Sequence, residues 1–272
     1  MMPQGYAGLT KRRSTREAVA VIDQASAATK PSGHFTQAKS GNLHVVELDS
    51  RRHERSELLP YGPFAPRQAG AYAVGKRTFD IVGASLAIIL LSPLILVLVS
   101  CTLLSGGSPF FRHRRVGERG AFFDCIKFRT MVRNADQVLH NLLEKDPKIK
   151  EEWLRYHKLR DDPRVTRIGR FLRRTSLDEL PQLWNVLRGE MSLVGPRPVV
   201  PDELRRYGRR VGVFLSARPG ITGLWQISGR NDTDYRRRVA LDVCYVRSRS
   251  LVLDIYIMLR TFRVVFATNG AY

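Results

Sequence analysis

Asp178 and Glu179 are adjacent carboxylates in the run Ser176-Leu177-Asp178-Glu179-Leu180-Pro181-Gln182-Leu183-Trp184-Asn185-Val186-Leu187. Arginines crowd both sides: Arg164, Arg167, Arg170, Arg173 and Arg174 before, Arg188 and Arg197 after. An acidic point in a basic surround suits a metal-bound, phosphorylated ligand, because carboxylates take the cation and guanidinium groups take the phosphate. Arg197 stands between Pro196 and Pro198, a stiff mount for a fork that grips phosphate bidentately. Lys127 and Arg129, two residues apart in an extended stretch, share a face and can point together at an anion. The bland alternatives are helix capping for the carboxylates and a solvated face for the cations.

The elements that must hold these groups follow from the local pattern. Ser176-x-x-Glu179 fits a capping box, while Pro181 allows Asp178 itself to be the N-cap. Either way the pair sits at the start of an amphipathic helix. Phe110 to Gly117 and Phe122 to Met131 read as a strand and its return. Val138, Leu142 and Leu143, then Ile149, Trp153 and Leu154, give two surface helices parted at Pro147. Asp161 to Thr175 is a turn and a basic amphipathic element. A Gly-rich block runs from Arg218 to Asn231.

The segment from Ile81 to Leu104 carries no charge and is long enough to span a bilayer. Ser92-Pro93 sits near its middle, where proline removes an amide donor. Lys76 and Arg77 precede it; Arg112, Arg114, Arg115 and Arg119 follow. Basic flanks on both sides favour the cytoplasm for both ends. A re-entrant helix broken at Ser92-Pro93 satisfies that, and a proline-kinked transmembrane helix is the alternative. Lys76 and Arg77, beside Asp80, are placed to meet lipid headgroups. Leu251 to Phe266 is apolar but too short and too charged to span; it reads as an interfacial or a core helix, with Asp254 pairing a nearby cation.

The chain of 272 residues has a formal net charge of +20, which calls for an anionic partner: nucleic acid, an anionic lipid surface or a phosphorylated substrate. Its 3 cysteines form no CxxC and suit a reducing compartment. No apolar stretch follows the first basic residues, so no cleavable signal peptide is expected. Residues 1–72 read as a disordered tail with a short strand near Leu43 to Leu48. The basic residues gather around the apolar segment and no recognition fold is apparent, which argues against nucleic acid.

Residues 73 to 272 resemble the bacterial sugar transferases that are monotopic phosphoglycosyl transferases. The resemblance rests on KRTFD, the apolar segment with Ser92-Pro93, KFRTM (127–131), DPRVTRIGRFLRRTSLDELPQLWNVLRGEMSLVGPRP (162–198), RPGITGLWQISGRN (218–231) and LDVCYV (241–246). It implies a helix-rich α/β fold with few short strands: a tail over 1–72, a membrane helix over 73–111 and a cytoplasmic catalytic domain over 112–272. It implies a phosphotransferase of the bacterial inner membrane that starts exopolysaccharide synthesis. Asp178 would be the nucleophile, attacking a UDP-sugar (UDP-galactose or UDP-glucose), releasing UMP and passing the sugar phosphate to undecaprenyl phosphate. Glu179 would help bind Mg²⁺. Arg197 and Arg230 would clamp phosphate oxygens, with Lys127, Arg129, Gln226 and Asp242 as nucleotide contacts or supports. Lys76 and Arg77 would meet membrane lipid, and other exopolysaccharide glycosyltransferases are possible partners. A UDP-N-acetylated donor and a non-catalytic basic binding module are the competing readings.

Overall fold

The computed structural model describes residues 70–267, apart from 157, 158, 160 and 230–233. The expected tail and its strand lie outside these residues, except that Ala71 and Tyr72 already belong to the first helix. That helix, α1 (Ala71–Leu104), has 34 residues and is the one helix among the described residues long and apolar enough to cross a membrane. It runs through Pro93 as a single element, so the proline does not end it. Proline offers no N–H to the carbonyl of Ile89 one turn back; the Ser92 hydroxyl donates to that carbonyl at 2.8 Å.

After α1 come an antiparallel hairpin and a run of helices, as the sequence leads one to expect. Strand β1 (Phe110–Val116) pairs with β2 (Phe122–Phe128) in a register that sets Phe111 opposite Lys127 and Arg112 opposite Ile126. Then follow α2 (Ala135–Lys145), α3 (Pro147–Tyr156) and α4 (Arg167–Thr175). The Thr166 side chain caps α4, accepting the Gly169 N–H at 2.9 Å. A 3-10 turn, Leu177–Glu179, leads to α5 (Gln182–Arg188). Strands β3 (Ser192–Val194) and β4 (Gly220–Thr222) pair in parallel. Between them lie α6 (Pro201–Leu204), a 3-10 helix (Arg205–Arg210) and α7 (Val211–Phe214). Helices α8 (Tyr235–Ser248) and α9 (Leu251–Ala267) close the described chain. Among the described residues, two two-stranded sheets and nine α-helices make a helix-rich α/β fold.

Both halves of α1 are built into this core. Ala84 packs with Phe123, Leu183, Val186, Leu193, Leu253 and Ile257. Further along, Leu98 packs with Phe128 and Leu172. The opposite side of α1 presents Leu86, Ile89, Leu90 and Leu96 to the exterior. Helix α9 is core and surface at once: Leu253 and Ile257 are buried, whereas Val252, Ile255, Leu259 and Phe262 form an exposed apolar stripe.

Lys76 and Arg77, expected to meet lipid headgroups, make the following contacts within the protein. Lys76 Nζ lies 3.4 Å from Asp80 and 3.1 Å from Asp254. Arg77 donates to the carbonyls of Val186 and Leu187 at 2.7 and 2.8 Å, capping the end of α5. Asp80 in turn accepts from Ser192 Oγ and the Leu193 N–H, each at 3.0 Å. A buried carboxylate must find such partners, and Lys76 is one of them.

Candidate active site

The turn that carries the two carboxylates differs from both capping arrangements expected of it. Ser176 ends α4 in the left-handed region, at φ 57°, and makes no side-chain cap. Asp178 is no N-cap either, since α5 begins at Gln182 with Pro181 before it. The physical reason is Pro181: the position ahead of a helix needs no N–H, so proline sits there without loss. Asp178 and Glu179 are thereby carried on a separate 3-10 turn, facing β2.

Lys127 of β2 meets them. Its Nζ is 2.6 Å from Glu179 Oε1 and 3.9 Å from Asp178 Oδ2. Burial pushes the Asp178 carboxyl up to about 6; the Lys127 charge opposes the rise and the Glu179 charge adds to it. Glu179 goes the other way. Burial works against its charge, but Lys127, Arg197 and Gln182 hold it below the usual carboxylate range. Near neutral pH Glu179 is thus firmly ionised, while Asp178 is ionised but within about one unit of titrating.

More cations surround the pair. Arg197 lays its guanidinium over Trp225, 5.3 Å from the ring centre, and its charge favours ionised Glu179. Arg115 lies close enough to Arg197 that, after burial, this neighbour is the main influence lowering its pKa. Arg173 donates to Thr130 Oγ1 at 2.9 Å, and its charge reaches Asp178. Positive charge exceeds what two carboxylates balance, so the site is built for an anion that brings its own negative charge.

Of the residues expected here, Asp178, Glu179, Lys127 and Arg197 come together. Arg129 does not join Lys127: β2 ends at Phe128, and the Arg129 guanidinium lies against Gly107 instead. Gln226 is tied inward, its Nε2 donating to the Ile221 carbonyl at 3.2 Å. Asp242 is 1% exposed and accepts the Tyr207 hydroxyl at 2.8 Å, with Arg197 close enough to favour its charged form. It supports Arg197 from below and is too deeply buried to touch a nucleotide. Arg230 lies outside the described residues.

Three contributors escape a reading of the sequence. Arg115 joins only through the strand register. Gln182, three residues beyond Glu179, is one that the i, i+3 spacing would have signalled. Asn185 is fully buried; its Oδ1 accepts the Ile126 N–H at 3.0 Å and its Nδ2 donates to the Asp124 carbonyl at 2.8 Å. This amide bolts α5 to the strand that carries Lys127.

No group of three or more His, Cys, Asp or Glu side chains gathers to hold a metal among the described residues. Mg²⁺ commonly takes only one or two carboxylates, with substrate phosphates and water completing its shell. The pair at 178 and 179 fits that pattern, with one Glu179 oxygen already against Lys127.

The profile of the family described as Bacterial sugar transferase matches residues 71–268. The chain belongs to this family. Every described element of the transferase falls inside the match. The chain is 54% identical over 197 residues to a UDP-galactose-lipid carrier transferase of Erwinia amylovora, covering 72% of this chain and 41% of that protein. It is 50% identical over 214 residues to an exopolysaccharide production protein ExoY of Sinorhizobium fredii, covering 77% of this chain and 95% of that protein. It is 39% identical over 238 residues to a UDP-glucose:undecaprenyl-phosphate glucose-1-phosphate transferase of Caulobacter vibrioides, covering 84% and 82%. The Erwinia protein is thus matched over only about two fifths of its length, and the ExoY protein over nearly all of it.

Proposed function

We propose that this sugar transferase moves hexose 1-phosphate from UDP-galactose or UDP-glucose to undecaprenyl phosphate and releases UMP. The observation that carries the reading is the shielded Asp178 beside the Lys127–Glu179 pair, with Arg197 and Arg115 close by. Asp178 attacks the sugar-bearing phosphorus, and the bond from that phosphorus to the UMP oxygen breaks. An oxygen of the acceptor phosphate then attacks the same phosphorus, the aspartyl bond breaks and the carboxylate is restored. Lys127 keeps Asp178 ionised as it approaches the phosphate. Arg197, stacked on Trp225, holds phosphate oxygens. Glu179 would hold Mg²⁺, which supplies charge neutralisation at the diphosphate.

The names of the Erwinia and Caulobacter relatives support galactose and glucose respectively. The product would feed other glycosyltransferases of exopolysaccharide assembly. A monotopic seat on the cytoplasmic face of the inner membrane suits the fold, since both halves of α1 pack against the same catalytic body. UMP release by the membrane-reconstituted protein, measured with each UDP-sugar and undecaprenyl phosphate, tests the reading. Activity with a UDP-hexose that disappears in Asp178→Asn and on chelation of Mg²⁺ supports it. Full activity of Asp178→Asn would sink it, and a preference for a UDP-N-acetylated sugar would replace the donor.

A further inference from the structure

Arg197 is not alone on the indole of Trp225. The guanidinium of Arg238, from the first turn of α8, lies 4.7 Å from the centre of the same ring, against 5.3 Å for Arg197. It also lies 5.2 Å from the ring centre of Tyr235. Trp225 is 5% exposed and packed into the core, so its indole is a fixed platform. A cation over a ring is held by the electron density of the ring's face. Two like charges on one platform also repel, so each limits where the other can sit. Both charges reach the same neighbours: they favour ionised Asp242, one turn beyond Arg238, and they lower the pKa of Arg115.

A guanidinium that only braces a fold spends its N–H groups on that fold. Arg164 does so, donating Nε and Nη2 to Asp162 at 2.8 and 2.6 Å. Arg238 does not. Its side chain is 13% exposed, yet Nε and Nη2 have no hydrogen-bond partner among the described residues. The one carboxylate within ion-pair distance of it among those residues is Glu203 of α6, at 3.7 Å. Stacking, rather than hydrogen bonding, fixes this group, and the stacking ties it to the platform that carries Arg197.

We infer that Arg238 is a positioning residue for the transfer: sharing the indole of Trp225, it fixes the Arg197 guanidinium where the phosphate oxygens of the donor arrive. The inference rests on the proposed reaction and on the part Arg197 plays in it.

The test is steady-state kinetics of the full chain in nanodiscs, with Arg238→Met, Arg238→Lys, Arg197→Ala and the double variant Arg197→Ala/Arg238→Met beside the wild type. Methionine keeps an apolar stem against the rings and removes the charge. The kcat for UMP release falls about tenfold in Arg238→Met, while the KM for polyprenyl phosphate stays put. Arg238→Lys returns a cation to the rings and recovers part of the rate. Arg197→Ala costs more, and Arg238→Met added to it costs nothing further, because a residue that acts through another is silent once that other is gone. Losses that multiply in the double variant overturn the inference, as does a wild-type rate in Arg238→Met. Glu203→Gln separates positioning from bracing. It breaks the ion pair and keeps the wild-type rate; a loss equal to that of Arg238→Met would mean that Arg238 only ties α6 to α8 and would overturn the inference too. Should Arg238→Met fail to fold, the cycle with Arg197→Ala is run on Arg238→Lys, and the same two outcomes decide. Wild-type protein that releases no UMP counts against the reaction and takes the inference with it, whereas an active wild type with multiplying losses counts against Arg238 alone.

Discussion

Lys127 serves its two carboxylates unequally. It bonds Glu179 closely and reaches Asp178 only at 3.9 Å, leaving the latter the more weakly held of the two. Removing the ammonium takes away the main influence that opposes burial at Asp178. The carboxyl then keeps its proton to higher pH. In Lys127→Met the acid limb of the rate profile, near pH 6 in the wild type, is expected to move upward; UMP release measured from pH 5 to 9 checks this. A limb that stays in place would mean that Asp178 does not set it. The carboxylate pair and Arg197 were legible because their types and neighbours are unusual in sequence. Arg115 was not, since its place depends on which residue of one strand faces which of the other.

At the scale of elements, α1 and α5 are held by contacts that replace missing or spent backbone partners. Ser92 satisfies the carbonyl that Pro93 abandons. Ser92→Ala leaves it bare in an apolar setting and is expected to cost about 1 kcal/mol of stability, seen as a lower unfolding temperature in detergent. Arg77→Met strips two charged hydrogen bonds from the end of α5, each worth roughly 1.5–3 kcal/mol. A larger fall in unfolding temperature than in Ser92→Ala is the expected result. The hairpin, the paired surface helices and α4 were legible from periodicity. The turn at Ser176–Pro181 was misread because two capping arrangements fit the letters, whereas Pro181 stands directly ahead of α5 and leaves the carboxylates on a separate turn.

For the whole molecule, Asp242 links stability to pH. Burial first of all raises its carboxyl to about 7 in the folded chain, well above its ordinary 3.8. The folded state therefore binds more protons than the unfolded state between those values, and stability falls as pH rises through that window. Asp242→Asn keeps an acceptor for Tyr207 without the charge. Its unfolding temperature is expected to drop less between pH 5 and pH 8 than that of the wild type. An equal drop would assign the dependence to other groups. The helix-rich class could be read from the sequence; the inward turn of Lys76 and Arg77 could not, because their partners are distant in the chain. That distance bears on how the protein is made. Lys76 and Asp80 leave the ribosome early, yet Ser192 is 112 residues beyond Asp80, and Asp254 is 182 residues beyond its partner Tyr72. During synthesis Lys76 can meet Asp80 within α1 at once, but its contact with Asp254 must wait for α9. A chain cut before α9 lacks Asp254 and so keeps only one of the two carboxylates that Lys76 meets in the folded protein.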